Sequence, residues 1–347
     1  MSCYLITGAT GFIGSHLTEM LVARGDTVRC LIRETSDISL LAPLGVEFVT
    51  GSFNDREFLR EVVSGVDAVI HLAGQTTAFA LSDLLRVNRD ATYFLAEACA
   101  SQATPPVHVV VSSIAAAGPV ARNQVRMEYD APRPVSNYGF SKRAGECAAL
   151  LFADRVATSI VRQGMVFGER NTEMFPIFQS MAKMGSHVVL GPATPRVSLI
   201  HVADLCELLV RVAERGQRIT VDEKLQAVSG DGIYFGVCDE APSYARLGSI
   251  LKRMIGKRGA RQATLPSPLT WLLGATVEVF ARVLDRKMAF NLDKIREAQC
   301  ESWECSVENV INDLEYEFPI RLKSRLEQTY RWYVNNHWLK ETPRPSA

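Results

Sequence analysis

Near the start of the chain, Thr7-Gly8-Ala9-Thr10-Gly11-Phe12-Ile13-Gly14 spaces three glycines as GxxGxxG. The short apolar run Tyr4–Thr7 precedes it, and in Phe12–Arg24 residues Ile13, Leu17, Met20 and Leu21 recur at helical spacing. A strand that turns on glycine straight into an amphipathic helix must fold that helix back over a sheet. The rest of the first half repeats the rhythm. Strands are predicted at Thr27–Ile32, Glu47–Val49, Ala68–Leu72, Val107–Val111 and Ala157–Val161. Helices are predicted at Glu57–Val63, Asp83–Ala100 and Tyr138–Phe152. This alternation gives an α/β fold with a doubly wound parallel sheet covered on both faces. After about residue 165 the rhythm breaks at Pro176, Pro192 and Pro195. Val197–Ile200 reads as extended, Val202–Arg215 as helical, and Ile233–Val237 as one strand in a mostly helical remainder.

Composition narrows the function. Lys plus Arg and Asp plus Glu both number 38 in 347 residues, so the chain lacks the basic excess of a broad nucleic-acid footprint. Eight cysteines without a CxxC pair and six histidines without HExxH speak against a disulfide framework and a metal site. The thiols read as reduced core residues of a cytoplasmic protein. The opening MSCYLITG runs directly into a strand and leaves no room for a signal peptide. The most apolar later stretch, Trp271–Leu284, carries Glu278 and Arg282 and is too short to span a bilayer.

The glycine turn has the form of a dinucleotide phosphate site. One glycine permits the sharp turn, another permits close approach to a pyrophosphate, and the helix N-terminus offers unpaired N–H groups. Gly8, Thr10, Gly11, Phe12, Ile13 and Gly14 are the candidate contacts. The second strand ends in Leu31-Ile32-Arg33-Glu34-Thr35-Ser36. An arginine there suits a 2′-phosphate, so Arg33 and Ser36 favour NADP over NAD. A solvated loop arginine is the competing reading, and Glu34 could neutralise Arg33 or reach a ribose itself.

Tyr138-Gly139-Phe140-Ser141-Lys142 sets a tyrosine and a lysine on one face at the start of a helix. An ammonium lowers the pKa of a neighbouring phenol and brings its proton exchange nearer neutrality. Val109-Val110-Val111-Ser112-Ser113 ends a strand in two hydroxyls, at the edge of a parallel sheet that faces the ligand crevice.

Taken with TGATGFIGSHL at 7–17, DAVIHLAG at 67–74, VNRDATYFLAEAC at 87–99, VSSIAAAG at 111–118, YGFSK at 138–142 and LIHVADL at 199–205, the chain resembles the extended short-chain dehydrogenase/reductase superfamily, of the NAD-dependent epimerase/dehydratase type. The resemblance implies a Rossmann-type domain over 1–165, with 197–230 returning to it. It implies a smaller, mostly helical substrate subdomain over 166–196 and 231–347. It implies a triad of Ser113, Tyr138 and Lys142, with Tyr138 as acid/base and Lys142 on the nicotinamide ribose. Leu72, Ala73, Gly74, Gly164 and Val166 would line the cofactor. Asn88 falls in the family's VNxxGT segment, with Ala91 in place of its glycine. A homodimer through helices 83–100 and 138–153 is likewise implied.

The departures bear on substrate. Gly51-Ser52-Phe53 lacks the Asp that usually stands near the adenine, and Arg162-Gln163-Gly164 lacks the proline of Arg-Pro-Gly. Met165 stands where sugar-nucleotide enzymes often carry Asn, Arg196-Val197-Ser198-Leu199-Ile200-His201-Val202 lacks their Asp, and Ile114-Ala115 replace the Asp-Glu of the dehydratases. Phe79, Phe140, Met165, Phe167, Met174, Phe175, Phe178 and Met181 are expected around an apolar crevice. Leu269, Leu273, Val277, Phe280 and Leu284 form a helical stripe that suits a core, a dimer face, a lipophilic wall or a membrane surface. The C-terminal stretch is similar to the 3β-hydroxysteroid dehydrogenase and dihydroflavonol-reductase branch. The expectation is an NADP-dependent interconversion of ketone and secondary alcohol on an apolar small molecule. The alternative is a nucleotide-sugar epimerase that retains its dinucleotide.

Overall fold

The computed structural model describes residues 1–190, 194–222, 227–228, 230–256, 261–271, 274, 276 and 292–340. The first half alternates as β1 (Cys3–Thr7), α1 (Phe12–Ala23), β2 (Thr27–Ile32), β3 (Glu47–Thr50), α2 (Arg56–Val62), β4 (Ala68–His71), α3 (Leu81–Leu85), α4 (Ala91–Ala100), β5 (Val107–Ser113), α5 (Ile114–Ala117), α6 (Asn137–Leu150) and β6 (Thr158–Gln163). The strands lie in the order β3-β2-β1-β4-β5-β6 and then Ile233–Gly236, with every pairing parallel. The order reverses between β1 and β4, which opens a crevice at the C-terminal ends of the central strands.

Period-two alternation decides which helix covers which face. Tyr4 and Ile6 pack with Leu17 and Leu21 of α1 and with Leu205, Leu208 and Leu209 of the helix Val202–Arg215. Leu5 points the other way, onto Leu59 of α2 and Leu95 of α4. Each such side chain contributes roughly 1.5–3 kcal/mol when fully buried. Buried on both faces, β4 (Ala-Val-Ile-His) has none of the polar alternation of an exposed strand.

The stretch expected as one helix over 83–100 is interrupted. Between α3 and α4, Arg86–Asp90 form a π turn, and the bulge carries the buried Asn88. Such bulges recur at functional sites.

A second core gathers Phe167, Met174, Phe178 and Met181 with Leu247, Leu251, Leu326 and Tyr333, from the helices Phe175–Met184, Tyr244–Ile255 and Leu322–Asn335. These four residues were expected around the crevice. All are nearly or fully buried instead, since a lobe of this size needs them as its own core. Of the apolar stripe, Leu273, Val277, Phe280 and Leu284 lie outside the described residues, and Leu269 is exposed.

The subdomain boundary also differs from the expectation of 231–347. Ile233–Gly236 is the sheet's seventh strand, on the edge that β6 would otherwise leave open. Its Tyr234 and Phe235 are fully buried. The helix Glu308–Leu314 returns as well, placing Val310, Leu314 and Tyr316 in the sheet's core. All eight cysteines are free. Among the described residues there is no metal-ligand cluster and no helix long and apolar enough to cross a membrane.

Candidate active site

The glycine turn sits where β1 meets α1. Gly8 has φ +71°, and a Cβ there would lie 2.8 Å from the backbone nitrogen of Ala73. A Cβ on Gly14 would lie 2.2 Å from the carbonyl oxygen of Gly8. Both positions are closed to a side chain by backbone, which cannot give way. Gly11 differs: a Cβ there would meet only the Gly8 oxygen, at 3.2 Å. Helix α1 starts at Gly11 with no side-chain cap and no acidic residue in its first turn. Its first N–H groups therefore point into an open, positively polarised cradle that fits a pyrophosphate.

The loop after β4 is fastened beside this turn. The Thr7 hydroxyl accepts from the Ala73 backbone N–H at 3.1 Å and pairs with His71 Nδ1 at 2.7 Å. The Leu72 N–H donates to the Thr7 carbonyl at 3.1 Å. Leu72 and Ala73 thus line the cradle through their backbone, and Gly74 lies between Asn88 and Lys142. From the π turn, Asn88 donates to the Gln75 carbonyl at 2.9 Å and to Ser141 Oγ at 2.8 Å, and accepts from the Gln75 N–H at 2.8 Å. One buried amide therefore ties the cofactor-side loop to the helix carrying Tyr138. A polar, poor helix former inside a predicted helix is the signal that could have marked it as a site residue.

At the far end of the crevice, Ser113 closes β5 and Tyr138 opens α6. Gly139 lets the two segments meet, since a Cβ there would lie 2.4 Å from the Ala115 carbonyl oxygen. Ser136 caps α6 by accepting from the Gly139 N–H at 3.0 Å. The two serines after β5 have different duties. Ser112 is fully buried and donates to Glu146 at 2.6 Å, whereas the Ser113 hydroxyl accepts from the Ala115 N–H at 3.1 Å and acts to lower the pKa of the Tyr138 phenol. Burial raises the pKa of that phenol above its usual range, while Lys294 and Ser113 act against the rise. Leu84 and Ala115, with the partly buried Ala78, pack around Tyr138 as an apolar collar.

Lys142, one turn along α6, donates to the Val111 carbonyl at 2.7 Å. Burial pulls its ammonium down to about 8, with Glu146 opposing. The charges acting on Tyr138 are Lys294, Glu297 and Glu173. The Lys142 ammonium itself is turned to the β5 backbone. Lys294 has no motif around it, and nothing in its local sequence marks it.

The remaining candidates divide. Arg33 is exposed at the end of β2, and its guanidinium has no ion pair with Glu34 or any other described residue. Ser36 Oγ accepts from the Arg33 N–H at 3.0 Å and so shapes the loop. Gly164 is a packing glycine, since a Cβ there would lie 2.6 Å from the Ser198 carbonyl oxygen. The Val166 carbonyl accepts from Asn171 at 3.2 Å, in the strand Met165–Phe167. Where the usual adenine-side Asp is missing, Phe53 stands edge-on to His71, ring centroids 5.7 Å apart.

Residues 4–226 match the model of the NAD dependent epimerase/dehydratase family. The ceramide reductase of Caulobacter vibrioides is 31% identical over 336 residues, covering 96% of this chain and 95% of that protein. A ketoreductase of Stigmatella aurantiaca, acting on a farnesylated dihydroquinoline oxide, is 30% identical over 61% of this chain and 64% of its own. Among solved structures, the dTDP-glucose 4,6-dehydratase of Bacillus anthracis with NAD superposes with a TM-score of 0.76 at 16% identity, covering 98% of this chain and 99% of that one. That likeness speaks to the fold alone. The chain belongs to the NAD dependent epimerase/dehydratase family, as an enzyme of the dehydrogenase and reductase kind.

Proposed function

We propose that this protein is an NADP-dependent oxidoreductase that interconverts a ketone and a secondary alcohol on a mainly apolar small molecule. The observation that carries the reading is Tyr138 at the start of α6 inside the apolar collar, with Ser113 closing β5 at the same C-terminal end of the sheet as the glycine cradle. The full-length likeness to a ceramide reductase supports an apolar substrate.

The bound nicotinamide supplies the hydride. Ser113 holds the substrate oxygen and stabilises the charge that develops there. As a C–H bond forms at the carbonyl carbon, the π pair moves to oxygen, which takes the phenolic proton of Tyr138. Solvent then reprotonates the phenolate, and alcohol oxidation runs the same steps in reverse. Lys142 holds the ribose, and Arg33, exposed and without an ion pair among the described residues, takes the 2′-phosphate. A homodimer through α4 and α6 accounts for the exposure of Phe140 and Leu151, 52% and 66%. The eight free thiols suit a reducing, cytoplasmic setting.

The test is net consumption of external NADPH across a panel of long-chain and polycyclic ketones. Stoichiometric oxidation supports the proposal. Conversion of a sugar nucleotide with no net oxidation would assign an epimerase instead.

A further inference from the structure

The catalytic helix is gripped from outside the sheet domain. The helix Leu292–Ala298 lies against the N-terminus of α6. Asp293 Oδ2 accepts from the Tyr138 backbone N–H at 3.2 Å, and Ser136 Oγ donates to Glu297 Oε1 at 2.7 Å. The carboxylates sit where the positive end of α6 favours them. Between them, Lys294 extends over Tyr138, its Nζ 5.4 Å from the ring centroid and 3.0 Å from Glu297 Oε2. Two fixed contacts on one short helix set where this ammonium stands.

We propose that Lys294 is a positioning residue for the acid/base, the cation that stabilises ionised Tyr138, so that the phenol's reactivity depends on a segment far downstream of the YxxxK pair. The inference rests on the reading of Tyr138 as acid/base. Among the described residues, four groups act on the phenol. Lys294 and Glu297 come from the helix Leu292–Ala298, Glu173 from the loop before Phe175, and Ser113 from β5, while Lys142 on α6 is turned to the Val111 carbonyl. Burial and the two carboxylates disfavour the phenolate, and Lys294 is the one cation among these groups that favours it. Glu297 and Glu173 in turn hold Lys294 in its charged form, against its own burial.

The test needs no substrate. The full chain is produced with 3,5-difluorotyrosine, whose phenol ionises nearer neutrality, and its fluorine signals are followed by NMR against pH. Tyr138→Phe identifies the signal of residue 138, and the other signals report whether each variant remains folded. Lys294→Met should raise the midpoint of that signal by about one pH unit, about tenfold in the acid dissociation constant. Lys294→Arg should leave it near the wild-type value. Glu173→Gln, at an exposed position with no packing role, should lower it. No upward movement in Lys294→Met, or an equal movement in Lys294→Arg, overturns the proposal. A chain that titrates as described yet consumes NADPH with no ketone loses the proposed reaction and keeps this coupling.

Discussion

Glu128 shows how one buried group makes stability depend on pH. Burial is the main cause that raises its pKa to about 7, with Glu308 adding to the rise, and its Oε1 has no hydrogen-bond partner. A carboxyl whose folded pKa lies above its unfolded value binds more protons when folded. Its contribution is therefore full below the unfolded value and is lost as pH rises through about 7. Glu128→Gln, which cannot ionise, should change Tm little at pH 5 and raise it at pH 8. Thermal melts of both proteins across that range check the sign. Arg33 is the other single residue with a sharp consequence. Its exposed guanidinium should contribute to NADP binding and not to NAD binding. Arg33→Ala should weaken NADP about tenfold or more, as loss of a charge-assisted contact of about 1.5–3 kcal/mol requires. Titration with both dinucleotides reads the ratio. A sequence displays such residues but not their partners. The serine pair at 112–113 reads as two equivalent hydroxyls until the fold turns one to Glu146 and leaves the other at the end of β5 to cap Ile114–Ala117.

At the scale of elements, α6 carries the chemistry and is pinned to the sheet through a buried ion pair. Arg162 of β6 donates to both oxygens of Glu146, each at 2.9 Å, and Ser112 and Arg143 complete the carboxylate's partners. Burial opposes ionisation of Glu146, yet Arg162, Arg143 and Ser112 together hold the carboxyl below its ordinary range. Removing Arg162 leaves a charge buried with too few partners. Arg162→Met should therefore cost about 3–5 kcal/mol in denaturant unfolding. Glu146 lies one turn after Lys142, so the same change should weaken turnover by loosening the helix. Elements were the most legible part of the sequence. The six strands of the first half lie within two residues of their predicted bounds, because buried parallel strands are continuous apolar runs. The helix Val202–Arg215 matches its prediction. The π turn at Arg86–Asp90 was hidden, since one extra residue in a helix changes its periodicity only locally.

Across the whole molecule, the site is assembled from segments distant in the chain. The glycine cradle, the collar and the triad candidates come from the first half. The helix Leu292–Ala298 then adds Asp293, Lys294 and Glu297, beyond the 4–226 region matched by the family model. Ile233–Gly236 and Glu308–Leu314 weave the later chain back into the sheet domain, so the two lobes are not consecutive in sequence. Hydrophobic pattern identifies a strand such as Ile233–Val237 but not its neighbour, so this interleaving could not be read from composition or spacing. The same limit applies to the apolar residues Phe167, Met174, Phe178 and Met181, for which a second core and a substrate wall look alike in sequence. In the proposed reaction the Tyr138 hydroxyl exchanges the proton with the substrate oxygen. NADPH oxidation with a ketone found in the panel, compared between wild type and Tyr138→Phe, measures this most directly. Turnover should fall about 10²–10⁴-fold while dinucleotide affinity is little changed. A phenylalanine variant that reduces the ketone at the wild-type rate would contradict it.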